Sequence, residues 1–269
     1  MTGLCKFMTL IASTIFVWCG DAHAEDVPPF RFERAERAPR SSFAEAIDPL
    51  STNGEKVQMF VLDPSKCIDA DCQTNSARAS MKEDVFTNRQ KGRNGQPSAA
   101  WYSWEVYFPK NFPYGQQQAR GGVQFASFKH NVVCASIYLV HQSGFTDDDL
   151  LWRMTEYTGA SPDQPSAECK LIRETRVARM RDLLGKWTRF ELFVRWSNRS
   201  DGEYRLYVNG EQKISYEGRT CVGDCLKFNQ FNYGIYLSNA PSRDDISKTY
   251  VLFKNVDRAA NREELAINQ

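Results

Sequence analysis

The chain has 269 residues with a formal net charge of +1, which excludes a strong global field for nucleic acid. Its 42% hydrophobic and 25% charged residues are an ordinary globular balance, while 13% aromatics is high, as expected of a β-rich protein or a sugar binder. That length suffices for one large domain or two small ones.

The N-terminus reads as a secretory leader. Lys6 supplies an early positive charge, "FMTLIASTIFVW" is an apolar run short for a bilayer span, and "AHA" ends at Ala24 as an A-x-A cleavage site. The expected mature chain starts near Glu25 and is secreted or periplasmic, with no membrane span after cleavage. Export gives the cysteines their meaning. Cys5 and Cys19 leave with the leader, and Cys67, Cys72, Cys134, Cys169, Cys221 and Cys225 remain. An even number in an oxidising compartment favours disulfides. Cys67/Cys72 and Cys221/Cys225 are close enough to staple their own loops, and Cys134 and Cys169 then pair by elimination. The rival reading is a zinc site built from "CIDADC" and "CVGDC", whose spacings depart from those of a zinc knuckle.

Residues 25–54 are polar and Pro-containing without a sustained period, and read as an arm over a domain of residues 55–269. Strand patterns then dominate. "VQMFVLD", "AAWYSWEVYFP", "GGVQFASFKH" and "CASIYLVHQ" come first. "TDDDL", Asp147–Asp149, is weighed as a calcium loop and lacks the spaced oxygen pattern of one, so no cofactor is expected. "LIRETRVARMRDLLGKW" suits strand and loop better than helix, and its Arg173, Arg176, Arg179 and Arg181 are either a rim for a polyanion or a solvated charged strand.

"WTRFELFVRW" alternates strictly, with Thr188, Phe190, Leu192, Val194 and Trp196 on one face and Arg189, Glu191, Phe193 and Arg195 on the other. Arg189 and Arg195 are candidates to bind carboxylates, set against an ordinary charged face paired to Glu191. "GEYRLYVNGEQKISYEG" is a hairpin turning at Asn209-Gly210. In "FNQFNYGIYLSN", Phe231, Tyr233, Ile235 and Leu237 form a packing face, while Asn232, Gly234, Tyr236 and Ser238 form a face meant to touch something. "YVLFKNV" closes the set. Many strands with regular turns argue for a single all-β sandwich or jelly roll.

"WYSWEVYFPKNFP", "GKWTRFELFVRWS", "GEYRLYVNGE" and "FNYGIY" with "KTYVLFKNV", in that order, resemble the heparin lyase I-like and glucuronan lyase-like group of polysaccharide lyases, over residues 55 to 258. The resemblance implies a concanavalin A-like β-jelly roll in two sheets and cleavage of an acidic, uronate-containing glycan by β-elimination, by a monomer. Jelly-roll lyases of this kind carry an arginine strand, a Q-x-H strand and a Y-x-K-x-G-x-Y strand facing a concave groove. Tyr236 matches the last tyrosine, Asn232 stands where lysine is usual, and Gln230 replaces the first tyrosine. Gln124 matches the glutamine of Q-x-H with Ala126 in the histidine's place, and Arg78 or Lys82 in "RASMKE" matches the arginine strand. A non-catalytic carbohydrate-binding jelly roll that has lost its lyase residues is the alternative reading. A glycoside hydrolase on the same fold needs two facing carboxylates, and no E-x-D-x-x-E strand is present.

Elimination needs the C5 carboxylate neutralised, a base for the C5 proton and an acid for the leaving O4. Tyr236 is the candidate acid, and also a candidate base. On an unbroken strand Gln124, Ala126, Phe128 and His130 share a face, which makes His130 the candidate histidine although it sits two strand steps, or ~13 Å, beyond the vacant place. His141 lies near a strand end and ranks below it. Gln124, Asn232, Arg78 and Lys82 complete the expected groove.

Overall fold

The computed structural model describes residues 30–35, 37–84, 97–114, 122–130, 134–141, 148–157, 169–221, 229–237, 242 and 247–266. The expected leader, residues 1–24, lies outside them. No helix among the described residues is long and apolar enough to cross a membrane.

Among the described residues fourteen strands, numbered along the chain, form two antiparallel sheets of seven. The first sheet runs, edge to edge, β1 (Phe32–Arg34), β4 (Ala77–Glu83), β13 (Asn229–Leu237), β6 (Val123–His130), β7 (Cys134–His141), β8 (Asp149–Tyr157) and β9 (Cys169–Arg179). The second runs β12 (Glu211–Glu217), β11 (Glu203–Val208), β10 (Trp187–Arg195), β5 (Ala99–Tyr107), β14 (Thr249–Ala259), β3 (Lys56–Leu62) and β2 (Phe43–Ile47). This is the all-β jelly-roll sandwich expected. The segment before residue 55 is built into it: β1 pairs with β4 and β2 with β3, so the arm supplies one edge strand to each sheet.

Period-two alternation explains which faces meet. Phe190, Leu192, Val194 and Trp196 of the β10 run are buried between the sheets, as are Phe231, Tyr233, Ile235 and Leu237 of β13. Phe231 ties the layers together, its ring 5.0 Å from Phe128 of its own sheet and 5.5 Å from Trp104 of the other, an aromatic packing that excludes water from the centre. The Asn209-Gly210 turn has φ of 50° and 82°, the two left-handed residues a tight two-residue hairpin demands. Residues 169–179 form strand β9, followed by a short 3₁₀ turn at Met180–Asp182.

A buried charge pair crosses the interior. Arg258 on β14 donates from Nη1 to Glu83 Oε1 on β4 at 2.5 Å, and both side chains are fully buried. Glu83 Oε2 also accepts the Phe231 amide at 3.4 Å. A charge pair so deep is tolerable only when its remaining lone pairs and protons are satisfied too.

The cysteines divide. Cys67 and Cys72 are joined, which removes those thiolates from any zinc site. Cys221 is also disulfide-bonded, and Cys225 lies outside the described residues. Cys134 and Cys169 start β7 and β9, and their side chains lie outside the description.

Candidate active site

The outer face of the first sheet carries an open depression of about 300 Å³ over β4, β13 and β6. Register builds it. Tyr236 of β13 lies opposite Arg78 of β4 on one side and Gln124 of β6 on the other. Asn232 lies opposite Lys82 and Ser127. Neighbouring strands are about 4.8 Å apart, so each trio converges on one spot.

Gly234 separates Tyr236 from Asn232 and explains the glycine of the G-x-Y pattern. Its φ is +131°, and a Cβ there would sit 2.3 Å from the Ala79 carbonyl oxygen. Only glycine lets β13 and β4 approach this closely.

The depression holds one side chain that the strand period hides. On an unbroken alternation Lys129 faces away from Gln124. The ladder between β6 and β13 shifts between Tyr233 and Tyr236, and that between β6 and β7 shifts between Gln124 and Ala126. Phe125 and Ala126 both go to the core, Ser127 and Lys129 take the outer face, and Phe128 is buried. Ala126 and Phe128 thereby leave the face they were expected to share with Gln124, and Ser127 and Lys129 take their place. His130 ends β6, its backbone in register with Asn229 and Cys134, and its side chain lies outside the described residues. The one sequence signal for the phase change is the adjacent apolar pair Phe125-Ala126 inside an otherwise alternating run.

Electrostatics single out Lys129. Its Nζ is 5.6 Å from the Tyr236 ring centroid. Burial, then the Arg78 cation, push its ammonium down to about 8, and Arg37 and Lys82 act the same way against the opposing pull of Asp71. Two of the cations nearby are already paired. Arg78 bonds Asp71 through Nε at 2.5 Å and Nη2 at 2.9 Å, and Lys82 meets Glu33 at 3.0 Å. Lys129 has no carboxylate partner among the described residues. The Arg78 guanidinium also lies over the Tyr236 ring, 4.1 Å from its centroid. Asn232 donates from Nδ2 to the Gln230 carbonyl at 2.7 Å, which holds its amide at the edge of the site.

Tyr233 is excluded from chemistry by burial. Its hydroxyl donates to Gln58 Oε1 of the second sheet at 2.9 Å, and burial pushes it up to about 12. Arg189 and Arg195 do not join the site. They lie on β10, in the second sheet, where Arg189 pairs with Glu191 at 3.0 Å and Arg195 with Glu203 at 3.6 Å. The arginines of β9 sit on the edge strand far from β4. Arg176 pairs with Asp149 at 3.6 Å and Arg181 with Asp148, which commits two of the three "TDDDL" carboxylates, while Asp147 lies outside the described residues. No cluster of three metal-ligating side chains occurs among the described residues.

The two-sheet jelly roll thus sets cations, amides and a tyrosine side by side on one outer face. The chain belongs to the polysaccharide lyase family, whose profile matches residues 29–256. In three dimensions it is similar to the endo-β-1,4-glucuronan lyase of the fungus Trichoderma reesei, at 15% identity over 90% of this chain and 94% of that one, with a TM-score of 0.57. It is also similar to an alginate lyase from Klebsiella pneumoniae, at 12% identity over 82% and 85% with a TM-score of 0.49. A third is the alginate lyase of Aplysia kurodai, at 12% identity over 84% and 90% with a TM-score of 0.48. At such identities the likeness is one of fold. No curated protein matches the sequence.

Proposed function

We propose that this protein is an exported lyase that cleaves a uronate-containing polysaccharide by β-elimination at the Tyr236 depression. The observation that carries the reading is the partly buried Lys129, without a carboxylate partner among the described residues, aimed at Tyr236 beside Arg78. Leaving a charge in such a place is costly unless the site uses it.

Arg78 and the amides of Gln124 and Asn232 hold the C5 carboxylate and draw its charge, which acidifies the neighbouring C–H. Lys129, with its ammonium pushed down to about 8, is neutral in about a tenth of molecules at pH 7 and in about half at pH 8, and the neutral form takes the C5 proton. The electron pair forms the C4–C5 double bond and expels O4, and the Tyr236 hydroxyl gives that oxygen its proton. Lysine thus does the work expected of the absent histidine, from the neighbouring phase of the same strand. No metal or cofactor is invoked. The leader-like N-terminus and the Cys67–Cys72 disulfide support export.

The decisive experiment is incubation with a panel of polyuronates and mixed acidic glycans, following the ultraviolet absorbance of the unsaturated product. A rise with at least one glycan is expected. The non-catalytic binding reading has its own observation, since Ala126 stands in the place of a histidine and is buried in the core. Binding of an acidic glycan without any unsaturated product would decide for it.

A further inference from the structure

Asp71 takes no part in the chemistry just proposed, yet it is buried and holds Arg78 with both carboxylate oxygens. It lies in α1 (Ala70–Gln73), a helix of four residues. One turn of helix does not hold itself together, because nucleation is unfavourable. Here it is flanked by Asp69 at φ 49° and Asn75 at φ 48°, left-handed positions that side chains other than glycine occupy at a cost. The covalent Cys67–Cys72 bond closes the segment, with Cys72 next to Asp71. The Asp71 carbonyl then accepts the Ser76 amide at 2.8 Å, immediately before β4 begins.

We infer that the Cys67–Cys72 turn is a positioning device for the active site, and that Asp71 is the residue through which it acts, fixing the guanidinium of Arg78 against the ring of Tyr236. Geometry gives the reason. The pair with Asp71 uses Arg78 Nε and Nη2, so the plane of the fork is set and Nη1 is left for a ligand carboxylate. That same plane lies 4.1 Å from the Tyr236 centroid. Asp71 touches Arg78 rather than the reacting atoms, so its role is positioning. The inference rests on the lyase reading for what is positioned, and on geometry alone for how.

Asp71 also bears on Lys129. Arg78 and Lys82 from β4, and Arg37, disfavour the Lys129 ammonium, while Asp71 from α1 favours it. Tyr236 from β13 faces it as well. Removing the Asp71 charge alone moves Lys129 further down, whereas releasing Arg78, the larger charge influence, moves it up, so the pH profile reports the position of Arg78 in a way that a merely structural residue would not.

The test compares Asp71→Asn, which keeps the disulfide, with the double variant Cys67→Ser/Cys72→Ser, by crystallography and by kinetics on a cleaved polyuronate. In both, the Arg78 guanidinium is expected to leave the Tyr236 ring, and kcat to fall by roughly 10–100-fold, as small misplacements of catalytic groups do. In Asp71→Asn the rising limb of the pH–rate profile moves to higher pH, because the departing Arg78 cation disfavours the Lys129 ammonium more than Asp71 favours it, and Asp71→Glu restores part of the rate. The inference is overturned if Arg78 stays over Tyr236 in Asp71→Asn and the parental rate and pH profile persist. If the parent releases no unsaturated product from any glycan, the lyase reading fails by itself, and the position of Arg78 in the variant crystals still decides this inference. Should the double serine variant not fold, Asp71→Asn decides alone.

Discussion

Lys129 and Tyr236 face one another across the depression, with the lysine Nζ 5.6 Å from the tyrosine centroid, although their strands place them several residues apart along the sheet. The contact gives the proposed reaction its pH signature. A base must be neutral to accept a proton, and burial with Arg78 pushes the Lys129 ammonium down to about 8. The value of kcat/KM is expected to rise with pH through a midpoint near 8. A fall through the same region would mean that Lys129 works as a cation that binds carboxylate. Initial rates on one accepted glycan between pH 6 and 9.5 (a range of roughly two units either side of the midpoint) separate the two.

Tyr236→Phe keeps the ring under Arg78 and removes only the hydroxyl. Loss of a proton-transfer group of this kind costs about 10²–10⁴ in rate. The variant should melt with the parent and bind the glycan as tightly, while turnover collapses. Cleavage at the parental rate would reduce Tyr236 to a packing residue.

Lys129→Met should trade activity for stability. The folded-state value near 8 lies below the ordinary 10.5, so between those values the unfolded chain holds a proton that the folded chain has released. Stability from this group therefore rises as pH climbs from about 8 to 10.5, and the penalty is fully present below 8. At pH 7 the methionine variant should be more stable by about 2 kcal/mol, an amount smaller than the full shift because Lys129 is only partly buried. The gap between parent and variant in urea unfolding should shrink toward pH 10. A gap that stays constant with pH would show that packing, not charge, separates them.

Much of this was legible from period-two alternation. The β10 and β13 runs announced their buried faces, and Asn209-Gly210 announced its hairpin. Tyr236 and Gln124 share a row because strict alternation on β13 and a local match on β6 suffice to place them. Lys129 was hidden because register shifts belong to pairs of strands, and one strand's sequence carries only a faint trace of them, here the apolar pair Phe125-Ala126. Arg189 and Arg195 were read onto the right face of their own strand, yet which sheet that strand joins is decided by long-range pairing with β5 and β11. Glu83 gave no sign of its buried partner, since Arg258 lies 175 residues away.

Gly234→Ala tests the close approach of β13 and β4. The new methyl would meet the Ala79 oxygen at 2.3 Å and the Ser80 Cα at 2.7 Å, both backbone atoms, and the φ of +131° is strained for any side chain. Backbone atoms in a paired strand cannot swing aside as a flexible side chain can. A loss of about 2–4 kcal/mol is expected, combining strain at a forbidden φ with displacement of the strand. Chemical denaturation checks the stability, and a loss below about 0.5 kcal/mol would mean that the strands part easily here.

Glu83→Gln and Arg258→Met address the buried pair that joins the sheets. Removing one partner takes away the opposite charge that balances the other in the interior, which typically costs about 3–5 kcal/mol. Glu83→Gln keeps the shape and an acceptor for the Phe231 amide but strands the arginine, whose guanidinium also lies 4.8 Å from the Phe30 centroid. Arg258→Met strands the carboxylate, which can escape by taking up a proton. The two single variants should therefore differ in their pH dependence. Arg258→Met should regain stability as pH falls, because protonation of Glu83 removes its charge, whereas Glu83→Gln has no such route. The double variant should be more stable than either single one, since no buried charge then remains. Unfolding free energies of all four proteins at pH 5 and pH 8 measure the coupling. If the single losses simply add in the double variant, Glu83 and Arg258 act independently, and the pair does not hold the two sheets together.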